Sequence, residues 1–303
     1  MTAMRAVGAL GTAARVVRRV GLGRVLKGSI DLTDRALVSA GVAPLAAEVD
    51  GVEFRGFLRH RGFLEYIQQG LPGERLYRSL LLGALDERTT FVDAGAHIGV
   101  YTVLGSDRAR RVVAFEPDPY NFAALRRNVK AAGCTNVEIR PEAVADRPGR
   151  APFRAFRSTF SGSLLPREVD EYREFEVEVV CLDDVFAKAD IERLVVKLDL
   201  EGAEPLALEG MEKILRRTDM LVLFVELNPE ALDTGRSSAN SFIGGLAQLP
   251  LKRAFVDESR RELVPLEEIR SPPKGNIMCW KGDFAGAASH QRGPSHRPGT
   301  ALG

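Results

Sequence analysis

The chain has 303 residues, 45% of them apolar and 27% charged, a balance that excludes disordered, collagenous and fibrous classes and leaves room for one large or two small domains. No run approaches the ~18 uncharged apolar residues of a membrane-spanning helix. The net charge of +1 hides an asymmetry: residues 31–283 carry 34 cations against 41 acids, net −7, a sign that repels a phosphate backbone and disfavours nucleic acid as a partner.

In chain order, residues 1–30 hold six cations and no acid, with apolar residues between them at near-helical spacing. They read as a basic amphipathic or flexible leader, whose functional reading is a peripheral membrane or partner contact. Residues 31–89 form an N-terminal helical/strand region: a short helical stretch, strands near residues 48–58 and a helix from about 74 to 85. From Thr90 the pattern changes, and a domain is expected over 90–283. Short β-rich apolar runs (TTFVDAG, RVVAFEP, NVEIRPEAV, RLVVKLDL, MLVLFVELN, NIMCWKG) alternate with helix-like NFAALRRNVKAAG and EPLALEGMEKILRR. Such alternation predicts an α/β fold, a mainly parallel sheet with helices on both faces. An Arg, Ser and Phe mixture over 150–180, with Ser161, Gly162 and Ser163, interrupts it and reads as a solvated loop over the sheet edge. Residues 284–303 are rich in Gly, Ala, Ser and Pro and are expected to be a disordered tail. Cys134, Cys181 and Cys279 are odd in number and form no C-x-x-C pair. They read as thiols in a reducing compartment, the cytoplasm, not as a disulfide frame or zinc site.

Ligands of open α/β sheets sit outside the carboxyl ends of the strands. The first strand ends at Asp93, and its turn carries Gly95, His97 and Gly99 before a helical VYTVL. Glycines there let the backbone turn tightly and approach a ligand. Glu116 ends the next strand, 23 residues beyond Asp93, where an acid accepts hydrogen bonds from two ribose hydroxyls. Two of the three glycines of a dinucleotide fingerprint are replaced by Ala94 and Ala96, which points away from a pyrophosphate and a dehydrogenase. A nucleoside without phosphate fits better, and S-adenosylmethionine, with its sulfonium and ammonium, would find Asp93 and Asp199 as counter-charges. Pro117 offers a flat face for an adenine, and Glu142 and Ala143 end the third strand beside it. In LVVKLDLEGAE, strand alternation puts Lys197, Asp199 and Glu201 on one face. Glu226 and Asn228 share a face at the tip of the fifth strand. With Asp199 they form an oxygen-rich group for a hard cation or for acceptor hydroxyls; the hydroxyl reading is preferred and no metal site is assigned. His97 is a candidate base or a packing residue.

The stretches VDAGAHIGVYT, VVAFEPDPYNFAALRRNV, CLDDV at 181–185 and VVKLDLEGAE followed by VELN resemble the FkbM-type methyltransferases, a branch of the class I S-adenosylmethionine-dependent enzymes, from about Thr90 to Asn228. The resemblance implies a Rossmann-like sheet with an antiparallel last strand, here NIMCWKG, and methyl transfer, typically to oxygen. It implies that Asp93, Gly95 and Gly99 shape the cofactor pocket and Glu116 holds the ribose. His97 and Asn228 stand where the family more often carries an asparagine and a histidine. The expected reaction is methylation of a hydroxyl on a sugar, glycan or secondary metabolite, with Asp199 or Glu226 taking the proton. Its rivals are an RNA methyltransferase with the same cofactor half and a non-catalytic nucleotide-binding module.

Overall fold

The computed structural model describes residues 32–43, 45–156, 162–165, 172–234, 237–269 and 273–283. The basic leader, the C-terminal tail and Ser161 lie outside them. A helix over 32–40 leads into a hairpin of β1 (Leu45–Val49) and β2 (Val52–Gly56), which settles the strands expected near 48–58. Two helices follow, Arg61–Gln68 and Arg75–Gly83. The first was not anticipated from the sequence.

The domain core is built from β3 (Thr89–Ala94), β4 (Arg111–Phe115), β5 (Val137–Arg140), β10 (Arg193–Leu198) and β11 (Met220–Leu227), all parallel. β12 (Lys252–Asp257), β13 (Glu262–Pro265) and β14 (Gly275–Lys281) complete an eight-stranded sheet in the order β13-β12-β14-β11-β10-β3-β4-β5. β14 lies antiparallel between β11 and β12, as the resemblance implied. The apolar runs are continuous because the central strands are buried on both faces. Val92, Val196 and Leu223 pack into one apolar layer, and Phe91, Val195 and Val222 into the other.

Residues 150–180 are not a solvated loop. β7 (Gly149–Phe156), β8 (Gly162–Ser163) and β9 (Tyr172–Val180) join β6 (Ala143–Val144) in a second sheet ordered β6-β9-β7-β8. The third apolar run, NVEIRPEAV, therefore splits: β5 stays in the main sheet, and Ala143 and Val144 leave it to pair with Val179 and Val180. EPLALEGMEKILRR likewise forms two helices, Glu204–Glu209 and Glu212–Arg217. The break falls at Gly210, where a Cβ would lie 2.1 Å from the Ala145 carbonyl oxygen. Among the described residues, no helix is long and apolar enough to cross a membrane.

Candidate active site

The turn after β3 is set by its glycines. Gly95 has φ +80°, and a Cβ on it would sit 2.0 Å from the Asp199 carbonyl oxygen, so this glycine lets the turns after β3 and β10 touch. Gly99 has φ +91° and opens the helix Val100–Ser106. His97 packs edge-on to Phe63, with ring centres 4.4 Å apart, and to His60 at 5.5 Å. Its Nε2 is buried without a hydrogen-bond partner. Burial holds its pKa well below the ordinary value, which suits packing better than proton abstraction.

Glu116 faces the hollow beside that turn. Its Oε2 accepts from the His97 N–H at 2.8 Å, and its Oε1 from the Asp118 N–H at 2.9 Å and Asn121 Nδ2 at 3.4 Å. Burial, followed by the neighbouring Asp118 carboxylate, pushes its pKa up to about 8. Asp118 in turn caps the helix Pro119–Ala131, accepting from the Tyr120 and Asn121 N–H groups. Asn121 is itself fixed from the N-terminal region. The Phe57 N–H donates to His60 Nδ1 at 2.9 Å, so Nε2 carries the ring proton and donates to Asn121 Oδ1 at 2.9 Å. Burial lowers the His60 pKa to about 4, and the ring stays neutral.

On the other side of β3, parallel register sets Lys197 beside Asp93. The buried Lys197 Nζ lies 3.1 Å from the Gly95 carbonyl oxygen, 3.4 Å from Asp93 Oδ1 and 3.2 Å from Asp199 Oδ2. Burial alone would lower its pKa, but Asp199 and Asp93 reverse this and raise it. Strand β10 ends at Leu198, so Asp199 and Glu201 belong to the following turn and not to a strand face shared with Lys197. Glu204 staples that turn, accepting from the Leu200 N–H at 2.7 Å and the Gly202 N–H at 2.9 Å. Burial raises its pKa to about 8. At the tip of β11, Glu226 Oε1 lies 3.5 Å from Lys274 Nζ, while its Oε2 is buried without a hydrogen-bond partner. Burial, then the charges of Asp199 and Glu201, push its pKa well up. Asp199, Glu201 and Glu226 each bring a carboxylate oxygen within 4.8 Å of the others. Asn228 donates to Glu201 at 3.4 Å.

All of this converges on one cavity of about 850 Å³, in the upper part of the ~300–1,000 Å³ range of ligand sites. Gly95, Glu116, Pro117, Glu142, Ala143, Asp199, Glu226 and Asn228 line it. Asp93 and Gly99 do not. Asp93 is buried beneath the wall, accepting from Thr102 Oγ1 at 2.6 Å and facing Lys197, so its counter-charge is a lysine. Glu142 reaches the wall paired with Arg140 at 2.8 Å. Sequence reasoning missed three groups. Phe63, Tyr66, Glu74 and Tyr77 come from the N-terminal region, Phe153 and Leu164 from β7 and the residue after β8, and Lys274 and Asn276 from around the start of β14.

Among curated proteins, the chain is 26% identical over 192 residues to the hexuronic acid methyltransferase AglP of Haloferax volcanii, covering 63% of this chain and 78% of that protein. Among solved structures it is similar to SMU.1697c of Streptococcus mutans, in complex with SAH, at 15% identity and a TM-score of 0.42, covering 68% of this chain and 96% of that one. It is also similar to an rRNA methylase of Streptococcus thermophilus at 16% identity and a TM-score of 0.39, covering 68% and 94%. The methyltransferase FkbM domain model matches residues 93–249, just over half of the chain, and the chain belongs to that family of S-adenosylmethionine-dependent methyltransferases.

Proposed function

We propose that the enzyme methylates a hydroxyl of a sugar or glycan, with donor and acceptor meeting in the single cavity that joins Glu116 to the Asp199, Glu226 and Asn228 cluster. That continuity is the observation that carries the reading. The donor end fits a nucleoside. Glu116 presents carboxylate oxygens at the wall, Gly95 lines it with bare backbone, and Pro117 and Ala143 offer apolar surface for a base. S-adenosylmethionine supplies an electrophilic methyl group on a sulfonium. Glu116 holds ribose hydroxyls, Gly95 and Gly99 shape the turn, and Asp93 acts from beneath by fixing Lys197.

At the acceptor end, the carboxyl groups of Asp199, Glu201 and Glu226 gather with Lys197 and Lys274. A hydroxyl lodged among them must shed a proton as it is methylated. Glu226 or Asp199 takes it, and Asn228 and Asn276 supply amides for neighbouring hydroxyls. The named substrate of AglP, a hexuronic acid, supports a sugar-type acceptor. The −7 body speaks against nucleic acid, and the three free thiols support a reducing compartment, the cytoplasm.

A labelled-methyl assay with free and glycan-linked hexuronic acids and neutral sugars tests this. The expected product is an ether that survives mild base. A base-labile methyl ester would move the chemistry to a carboxylate, and no transfer to any sugar would remove the acceptor class. Replacing Asp199 and Glu226 together by alanine should lower turnover by about 100-fold or more, as loss of a general base does, while S-adenosylhomocysteine still binds. Unchanged turnover would strip both of that role.

A further inference from the structure

Glu74 is the residue before the helix Arg75–Gly83, but its side chain does not cap that helix. It turns instead into the cavity. There Oε1 lies 3.0 Å from Tyr66 Oη, sharing a hydroxyl whose shorter bond, 2.6 Å, goes to the Pro72 carbonyl oxygen, and Oε2 accepts a very short bond from Tyr101 Oη. Asp199 and Lys197 act on it electrostatically, and the Tyr101 ring lies against Lys197, 5.8 Å from its Nζ. A carboxylate drawn into a wall by two phenols has been placed at a cost, and nothing in the helix requires it there.

The strand order says what it faces. Glu116 stands at the tip of β4, on one side of β3, and Lys197 and Asp199 at the tip of β10, on the other. A ligand lying across the β3 turn with its ribose on Glu116 directs its far end to the β10 side, where Glu74 waits. The cationic charge already there is spent, since Lys197 serves Asp93, Asp199 and the Gly95 carbonyl. Glu74 and the remaining charge of Asp199 leave this end anionic. The matching ligand group is a compact cation with several N–H donors, since each oxygen of Glu74 keeps a lone pair beyond its phenol.

We infer that Glu74, held by Tyr66 and Tyr101, binds the ammonium of the methyl donor's amino-acid end. The inference rests on the S-adenosylmethionine assignment and adds to it a residue outside the matched domain. It is tested by calorimetric titration of the full chain with three ligands: S-adenosylhomocysteine, its deaminated analogue and 5′-methylthioadenosine, which lacks the amino-acid end. The unaltered chain should prefer S-adenosylhomocysteine over the deaminated analogue by about tenfold or more, the scale of a hydrogen bond to a charged group. Glu74→Gln should erase that preference and leave affinity for 5′-methylthioadenosine within about twofold. Glu74→Asp, which keeps the charge but withdraws it by one methylene, should give an intermediate preference, and it carries the test should the glutamine variant not fold. Equal losses for all three ligands would make Glu74 merely structural, and a preference that survives Glu74→Gln would place the ammonium elsewhere; either overturns the inference. If the unaltered chain bound none of the three, the donor assignment would fall with it.

Discussion

Glu116 has a pKa of about 8 because burial outweighs the N–H groups that favour its charged form. Ribose hydroxyls would be further donors to that charge, so the ionised form binds the nucleoside. Affinity for S-adenosylhomocysteine should rise between pH 6 and 8.5, and Glu116→Gln should flatten the curve and weaken binding at the upper end. Stability of the unliganded chain runs the opposite way. An unfolded glutamate ionises near 4.5 and the folded one near 8, so within that window the native state holds a proton that the unfolded state has released. Stability is therefore lost as pH rises. Glu204, also near 8, adds to the fall, which thermal melts at pH 6 and 8.5 would register. Glu116 was legible in the sequence because strand tip, glycine turn and spacing all act locally. Glu74 was not, since its partners Tyr66, Tyr101 and Lys197 are assembled by packing between three separate elements. The buttress from His60 through Asn121 to Glu116 was hidden for the same reason.

At the scale of elements, the alternation from Thr90 to Asn228 sufficed to read the five parallel strands, because β3, β4, β10 and β11 are largely buried and rich in apolar residues, while the half-buried edge strand β5 keeps its place in the alternation. The second sheet left a fainter trace. In β9, Phe175, Val177 and Val179 alternate with Glu174, Glu176 and Glu178, the period of a strand with one wet face. Its partner β7 contains Pro152, and this obscured the pairing. β12 and β13 went unread because they are short and mixed in polarity. Phe153 ties the second sheet to the site. Its ring packs with Val177, Val179 and Ala155, and it also lines the cavity. Phe153→Ala should cost about 3–5 kcal/mol of stability, read by denaturant unfolding, and should weaken nucleoside binding more than Val177→Ala, which removes core volume behind the wall.

For the molecule as a whole, the N-terminal region and the residues read as a domain from Thr90 share one apolar cluster. In it Phe54, Phe57, Ile67 and Leu71 join Ile98, Leu104 and Leu125, and the N-terminal region also furnishes Glu74 and the His60 buttress. A chain truncated before Thr90 should lose soluble yield and bind no S-adenosylhomocysteine at concentrations that saturate the full chain. A soluble truncated chain that still binds would show the region to be dispensable.

The place of β14 has a consequence for synthesis. The last of the described strands, β14, is seated between β11 and β12, so until residues 275–281 leave the ribosome, β11 presents a bare row of amides and carbonyls beside Leu223, Phe224 and Val225. The nascent polypeptide thus carries an open apolar edge from the completion of residue 227 until residue 281 is made and β14 seals it.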